Sequence, residues 1–185
     1  MRAYLTVYGS KFKAKPVADI IFNTDLTNPS VSLGSHEQVP HNMARMQRGA
    51  TNLTRRHDLE EHAHKYAEKC VVKHNRDPDS LYGLNLYKIN YTNTASARGL
   101  ITWQAAVIGW ISEAAQYNYT ARSHQDNATG GFTQVVWRNS LHVGCAVKNC
   151  SSNAVFVCFY HPEGNIPGEY AQNVLPVTAP AAVAC

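Results

Sequence analysis

The sequence has no apolar run approaching the roughly 18 residues that a membrane-crossing helix needs. Its longest candidates, Val17–Phe22 and Ala179–Ala184, are far shorter, so no transmembrane segment is expected. Charge is also sparse: 16% of the 185 residues are Asp, Glu, Lys or Arg, and the net charge is +4. No run of five basic residues occurs and no helical face gathers Arg and Lys, which argues against nucleic acid as a partner. There is no Gly-x-Ser-x-Gly elbow and no phosphate-binding glycine loop, and the hydrolases and nucleotide binders built on those motifs are excluded. Internal repeats are lacking, and low complexity is confined to the Ala-rich last residues. The start, Met1–Lys15, is basic and Tyr-rich without the continuous apolar centre of a signal peptide.

What is present fits one globular domain with a real core: 44% of residues are hydrophobic. Five cysteines stand at 70, 145, 150, 158 and 185. Asn-x-Ser/Thr sequons occur at Asn52, Asn90, Asn118, Asn127 and Asn149, each an opportunity for glycosylation. Together with the clustered cysteines they favour a secreted, extracellular protein over a cytosolic one with free thiols.

Residues 1–37 carry no periodicity and read as an N-terminal extension, with one possible strand at Val17–Phe22. His41–Arg48 reads as a short helix stopped by Gly49. Within Leu53–His74, the residues Leu59, Ala63, Tyr66, Ala67 and Cys70 recur at helical spacing. Residues 75–100 read mostly as loop, and Trp103, Ala106, Val107, Trp110, Ala114 and Tyr117 form a second helical stripe. Beyond the loop 119–131, Phe132–Arg138, Val143–Lys148 and Ala154–Tyr160 read as strands, the last two joined as a hairpin. Residues 171–185 read as a tail over the surface. Helices first and an antiparallel sheet last predict an α+β fold. A hairpin turn near Ser151–Ser152 sets Cys145 opposite Cys158, within bridging reach. Cys150, at the turn, is then free to reach Cys70 at the end of the long helix. Cys185 is left unpaired or paired between chains.

Several ordered stretches resemble one known family. Gly131-Phe132-Thr133-Gln134-Val135-Val136-Trp137-Arg138-Asn139-Ser140 looks like the first signature of the CAP superfamily, and Phe156-Val157-Cys158-Phe159-Tyr160-His161-Pro162-Glu163-Gly164-Asn165-Ile166 looks like the second. His41-Asn42-x-Ala44-Arg45, the Leu59/Ala63/Tyr66/Ala67 helix, Trp110-x-x-Glu113 and Val143-Gly144-Cys145-Ala146 match in order and spacing. The resemblance covers roughly residues 38–170, and the venom allergen-like proteins of parasitic worms are closest in style. It implies an α-β-α sandwich with a three-stranded antiparallel sheet between helical layers. It also implies the bridges Cys70–Cys150 and Cys145–Cys158.

Members of that family place two His and two Glu in a cleft that can bind zinc. The resemblance puts those four positions at His74, Leu84, Glu113 and Gly131. Leucine and glycine cannot ligate, so no metal and no cofactor is expected in the cleft, and His74 and Glu113 reduce to a hydrogen-bonded or ionic pair lining it. No catalytic residue is assigned. The resemblance also points to Tyr117 and Tyr119 as a sterol-binding loop expected to be exposed, and to fatty acid held between the helices around His41–Arg48 and Trp103–Tyr117. The expectation is a secreted, non-enzymatic protein that binds sterol or fatty acid and modulates host responses. The alternatives are an immune-modulatory ligand for host proteins without a small molecule, and a weak metal-dependent hydrolase.

Overall fold

A computed structural model describes residues 37–73, 81–91, 102–121 and 128–178. In chain order its elements are α1 (Gln38–Met46), β1 (Thr54–Arg55), α2 (His57–Ala67), β2 (Gly83–Asn90), α3 (Trp103–Ser112), a 3-10 turn (Glu113–Gln116), α4 (Gly130–Val135), β3 (His142–Asn149), β4 (Asn153–His161) and α5 (Tyr170–Asn173). The strands form one sheet in the order β1-β3-β4-β2.

Central strand β4 explains the layering. Its alternate residues Phe156, Cys158 and Tyr160 are buried in the clusters that contain α1, α3 and α4, while Val155, Val157 and Phe159 pack with Ala63 and Ala67 of α2. Both faces are therefore apolar, and helices cover the sheet on each side, as the period of two requires. On the α2 side the approach is close. A Cβ at Gly144 would stand 2.3 Å from the Glu60 nitrogen, so only glycine lets the helix backbone lie on β3. Gly49, at φ +64°, follows the end of α1 in a backbone conformation that a side chain disfavours.

The expected hairpin is present, with Cys145 paired to Cys158 in the β3–β4 register. Other expectations need correction. The sheet has four strands, not three, and is mixed: Thr54 and Arg55 pair parallel to His142 and Val143. Two residues are too few to show any period in the sequence. They also delay the long helix, which begins at His57 and not Leu53, and ends at Ala67. The stretch expected to be loop contains β2, eight residues paired with β4. Its buried face carries Asn85, which disguises the alternation. Phe132–Arg138, expected as a strand, belongs largely to helix α4; a short apolar run does not by itself distinguish the two. The second helix ends at Ser112, before Tyr117. The segment after Tyr170 also differs from a surface tail. Asn173 and Val174 are buried, the Trp137 and Tyr170 rings meet edge to face at 5.2 Å, and Thr178 N–H donates to the Gln47 carbonyl.

Candidate functional site

The cleft expected from the resemblance lies where α3, its 3-10 extension and α4 meet the sheet. Thr102 caps α3, its hydroxyl accepting from the Ala105 N–H at 3.1 Å. Trp110 then fixes the helix to β2, its indole N–H donating to the Leu86 carbonyl at 3.1 Å. Three residues on, the Glu113 carboxylate accepts from the Phe132 N–H at 2.9 Å, at the start of α4. Partial desolvation pushes the Glu113 carboxyl up, against the backbone N–H groups of Phe132 and Gly131, which favour its charge.

Gly131 is what permits this contact. A Cβ there would stand 2.6 Å from Trp110 Cδ1 and 2.8 Å from Glu113 Oε1. Carboxylate and indole occupy the volume that a side chain at 131 would claim. Glu113 and Gly131 are thus neighbours. Leu84 is not with them. It pairs with Phe159 on β4 and packs with the α2 cluster, on the opposite face of the sheet from Gly131. The residue of β2 that does face the cleft is Asn85, whose side-chain N–H donates to the Gly131 carbonyl at 2.9 Å. His74 lies outside the described residues.

Beneath the carboxylate runs a buried polar chain that the sequence did not disclose as a unit. Asn85 donates to the Tyr160 hydroxyl at 3.3 Å, the Tyr160 oxygen lies 2.8 Å from His41 Nε2, and His41 Nδ1 lies 2.6 Å from the Glu37 carbonyl. Since a carbonyl only accepts, His41 Nδ1 carries the proton and Nε2 accepts from Tyr160. Burial lowers the His41 pKa to about 4 and pushes the Tyr160 hydroxyl well up, so both are neutral at physiological pH. Arg45, also buried, donates to the carbonyls of Thr51, Val135, Trp137 and Ser140 at 2.7–3.0 Å. His41, Arg45 and Tyr160 belong to motifs quoted above only for their resemblance, Asn85 to none of them, and no spacing rule links positions 41, 85 and 160.

The proposed sterol loop is divided. Tyr117 is buried, not exposed, its ring meeting Phe132 at 5.6 Å; Tyr119 stacks edge to face on it at 4.8 Å and is itself 37% exposed. Asn52, Asn90, Asn118 and Asn149 are exposed, and Asn127 lies outside the described residues. Both expected bridges are formed, Cys70–Cys150 with Cα atoms 6.0 Å apart and Cys145–Cys158 with Cα atoms 4.1 Å apart. Among the described residues no three His, Cys, Asp or Glu side chains are grouped to hold a metal, and no helix is long and apolar enough to cross a membrane.

A helix-covered sheet stapled by two bridges, with a carboxylate against the start of a glycine-led helix, defines a small disulfide-bonded α+β class. The chain belongs to the CAP family, the cysteine-rich secretory protein family, whose profile matches residues 40–160. It is 36% identical over 130 residues to pathogenesis-related protein 1 of Arabidopsis thaliana, covering 68% of this chain and 73% of that protein. Among solved structures it resembles NaASP2 with Zn2+, at a TM-score of 0.57 and 23% identity, covering 76% of this chain and 86% of that one. It also resembles the Schistosoma mansoni venom allergen-like protein 4, at a TM-score of 0.51 and 18% identity, covering 74% and 99% of the two chains. At those identities the two structures establish the fold alone. The chain spans between 46% and 78% of the length of the curated relatives it matches.

Proposed function

We propose that this is a secreted, non-enzymatic CAP protein that binds an apolar ligand, a sterol or fatty acid, along α3. The observation that carries the reading is the composition of that helix. Among its ten residues only Gln104 and Ser112 are polar. Its buried face supplies Ala106, Val107, Trp110 and Ile111 to the core, and Trp103, which starts that stripe and meets Phe156 edge to face, is only partly buried; Ile108, off the stripe, is only partly buried too. A helix apolar all round is ordinarily enclosed, and a flank left apolar fits a hydrophobic partner. The cleft supports a binding role over chemistry. Its carboxylate is engaged by backbone, Gly131 supplies no donor, and Leu84 lies across the sheet, so the described residues do not fit a zinc ion there. Among the described residues no acid–base pair is assembled.

The test is direct binding of cholesterol and of palmitate to the full chain. Ile108→Lys and Trp103→Ala are expected to reduce uptake at least fivefold, and Tyr119→Ala to reduce sterol binding if the loop takes part. Uptake unchanged in both α3 variants removes this reading.

A second reading, a ligand for a host protein that uses no small molecule, is favoured by a different surface. Leu81 and Leu141, 69% and 46% exposed, both lie at His161, whose Nδ1 faces the Leu81 carbonyl and whose own carbonyl accepts from the Leu141 N–H. Loss of partner binding in a Leu81→Asp, Leu141→Asp variant that still takes up lipid would support it.

A further inference from the structure

We propose that His142 and His161 form a two-imidazole site for a divalent late-transition-metal ion, on the α2 side of the sheet and separate from the cleft. The two residues are direct partners across the antiparallel β3–β4 ladder. Their rings lie 6.4 Å apart between centroids and within 10° of parallel. With metal–nitrogen bonds of about 2.0–2.1 Å, two imidazoles on one ion place their centroids roughly 5–6.5 Å apart, depending on the bond angle.

Each Nδ1 faces an oxygen. His142 Nδ1 lies 2.7 Å from the Thr54 hydroxyl, which is also 3.3 Å from the Leu141 carbonyl. His161 Nδ1 lies 3.4 Å from the Leu81 carbonyl, which can only accept. With the Thr54 proton turned to the Leu141 carbonyl, both Nδ1 atoms donate and both Nε2 atoms keep a lone pair. An imidazole oriented through one nitrogen by an oxygen and bare at the other is the arrangement that metal-ligating histidines adopt. Partial burial, followed by the charges of Arg56 and His161, lowers the His142 pKa and keeps that ring neutral, while Asp58 acts the other way. The nearest cation, Arg56, is itself paired with the Asp58 carboxylate. Tyr82 flanks the pair, its ring meeting His161 edge to face at 5.7 Å.

With two protein ligands the remaining positions belong to water or to a partner, and the order of divalent affinities favours copper(II). The probe is Cu2+ added to the full chain carrying Cys185→Ser, which removes a competing thiol. His57→Ala and His64→Ala in the same background remove two of the three exposed histidines of α2. One equivalent is expected to bind at micromolar concentration, with an electron spin-echo signature of two imidazole nitrogens. His142→Asn and His161→Asn, which keep a polar side chain, are each expected to weaken binding at least tenfold and to leave one coordinated imidazole. His62→Ala is expected to change nothing. Copper bound as tightly by both Asn variants as by the parent, or binding only at millimolar metal, overturns the proposal. Should an Asn variant unfold, metal protection of both rings from diethyl pyrocarbonate in the parent chain decides the matter in the same terms.

Discussion

The Nε2 of His41 and the hydroxyl of Tyr160 lie 2.8 Å apart, although 119 positions separate them in the chain. This contact ties α1 to the centre of the sheet, and Trp110 closes over the imidazole at 5.9 Å between centroids. Both groups are satisfied only while His41 is neutral, because protonated Nε2 would face the Tyr160 hydroxyl as a second donor. The buried chain is therefore built for one protonation state.

That state makes stability depend on pH. His41 has a folded pKa of about 4 against 6.5 when exposed, so the unfolded chain takes up its proton first. The neutral form is common to both states above pH 6.5; stability falls between 6.5 and 4, by about 3 kcal/mol from this residue. Urea titrations at pH 7.5 and 4.5 are expected to show that loss in the parent. A His41→Phe variant is expected to be less stable at pH 7.5 but to lack this part of the decline. Equal pH dependence in the two proteins counts against the assignment.

Arg45 carries a larger structural load. One guanidinium satisfies the carbonyls of Thr51, of Val135 at the end of α4, and of Trp137 and Ser140 beyond it, and it is fully buried with no carboxylate paired to it among the described residues. Lysine, with a single head group, cannot span four acceptors in a planar fork. Arg45→Lys is expected to lose roughly 3 kcal/mol or more, and Arg45→Met to lose more still, since every carbonyl is then left unpaired. Denaturant unfolding at neutral pH measures both, and a loss under 1 kcal/mol for either contradicts this role.

How much of this was legible in the sequence depends on which residues carried the signal. The α2 stripe of Leu59, Ala63 and Ala67 faces the sheet as read, because one side of that helix meets water and the other meets β3. The hairpin and its bridge followed from a turn of fixed length between Cys145 and Cys158. β2 was missed because Asn85, a polar residue, is on the buried face, satisfied by Gly131 and Tyr160, which lie far off in sequence. α4 was misread because β-rich Phe132–Val136 is buried all round, and burial on every side removes the period that tells helix from strand. In the cleft, Glu113 and Gly131 were legible through the resemblance. Leu84 was placed there by alignment, and only the register of β2 against β4 shows which way it faces.

The pair Glu113 and Gly131 makes a prediction of opposite sign from His41. The Glu113 carboxyl is pushed up by desolvation, so its charged form costs stability once pH rises through the folded pKa. Glu113→Gln, which keeps an oxygen to accept from Phe132, is expected to be more stable than the parent at pH 7.5 and no more stable below pH 4. Gly131→Ala is expected to cost about 1–3 kcal/mol at any pH, because its methyl would overlap Trp110 and the carboxylate. An alanine tolerated without loss would mean that the cleft opens readily, which the tight packing here denies.

The two bridges should differ in what they contribute. Cys70–Cys150 spans 80 positions and joins the end of α2 to the hairpin turn, whereas Cys145–Cys158 spans 13 within the hairpin. In the chain-entropy account, closing the longer loop constrains the unfolded state more, about 4.5 against about 3 kcal/mol. The shorter bridge is also buried, with Cys158 fully enclosed, so its loss is best probed with an alanine pair that adds no unpaired hydroxyl. Denaturation without reductant is expected to rank Cys70→Ala, Cys150→Ala below Cys145→Ala, Cys158→Ala in stability. Reversal of that order would mean that packing of the buried sulfur atoms in the folded state outweighs loop closure, and that the core around Tyr160 depends on the bridge more than the attachment of α2 does.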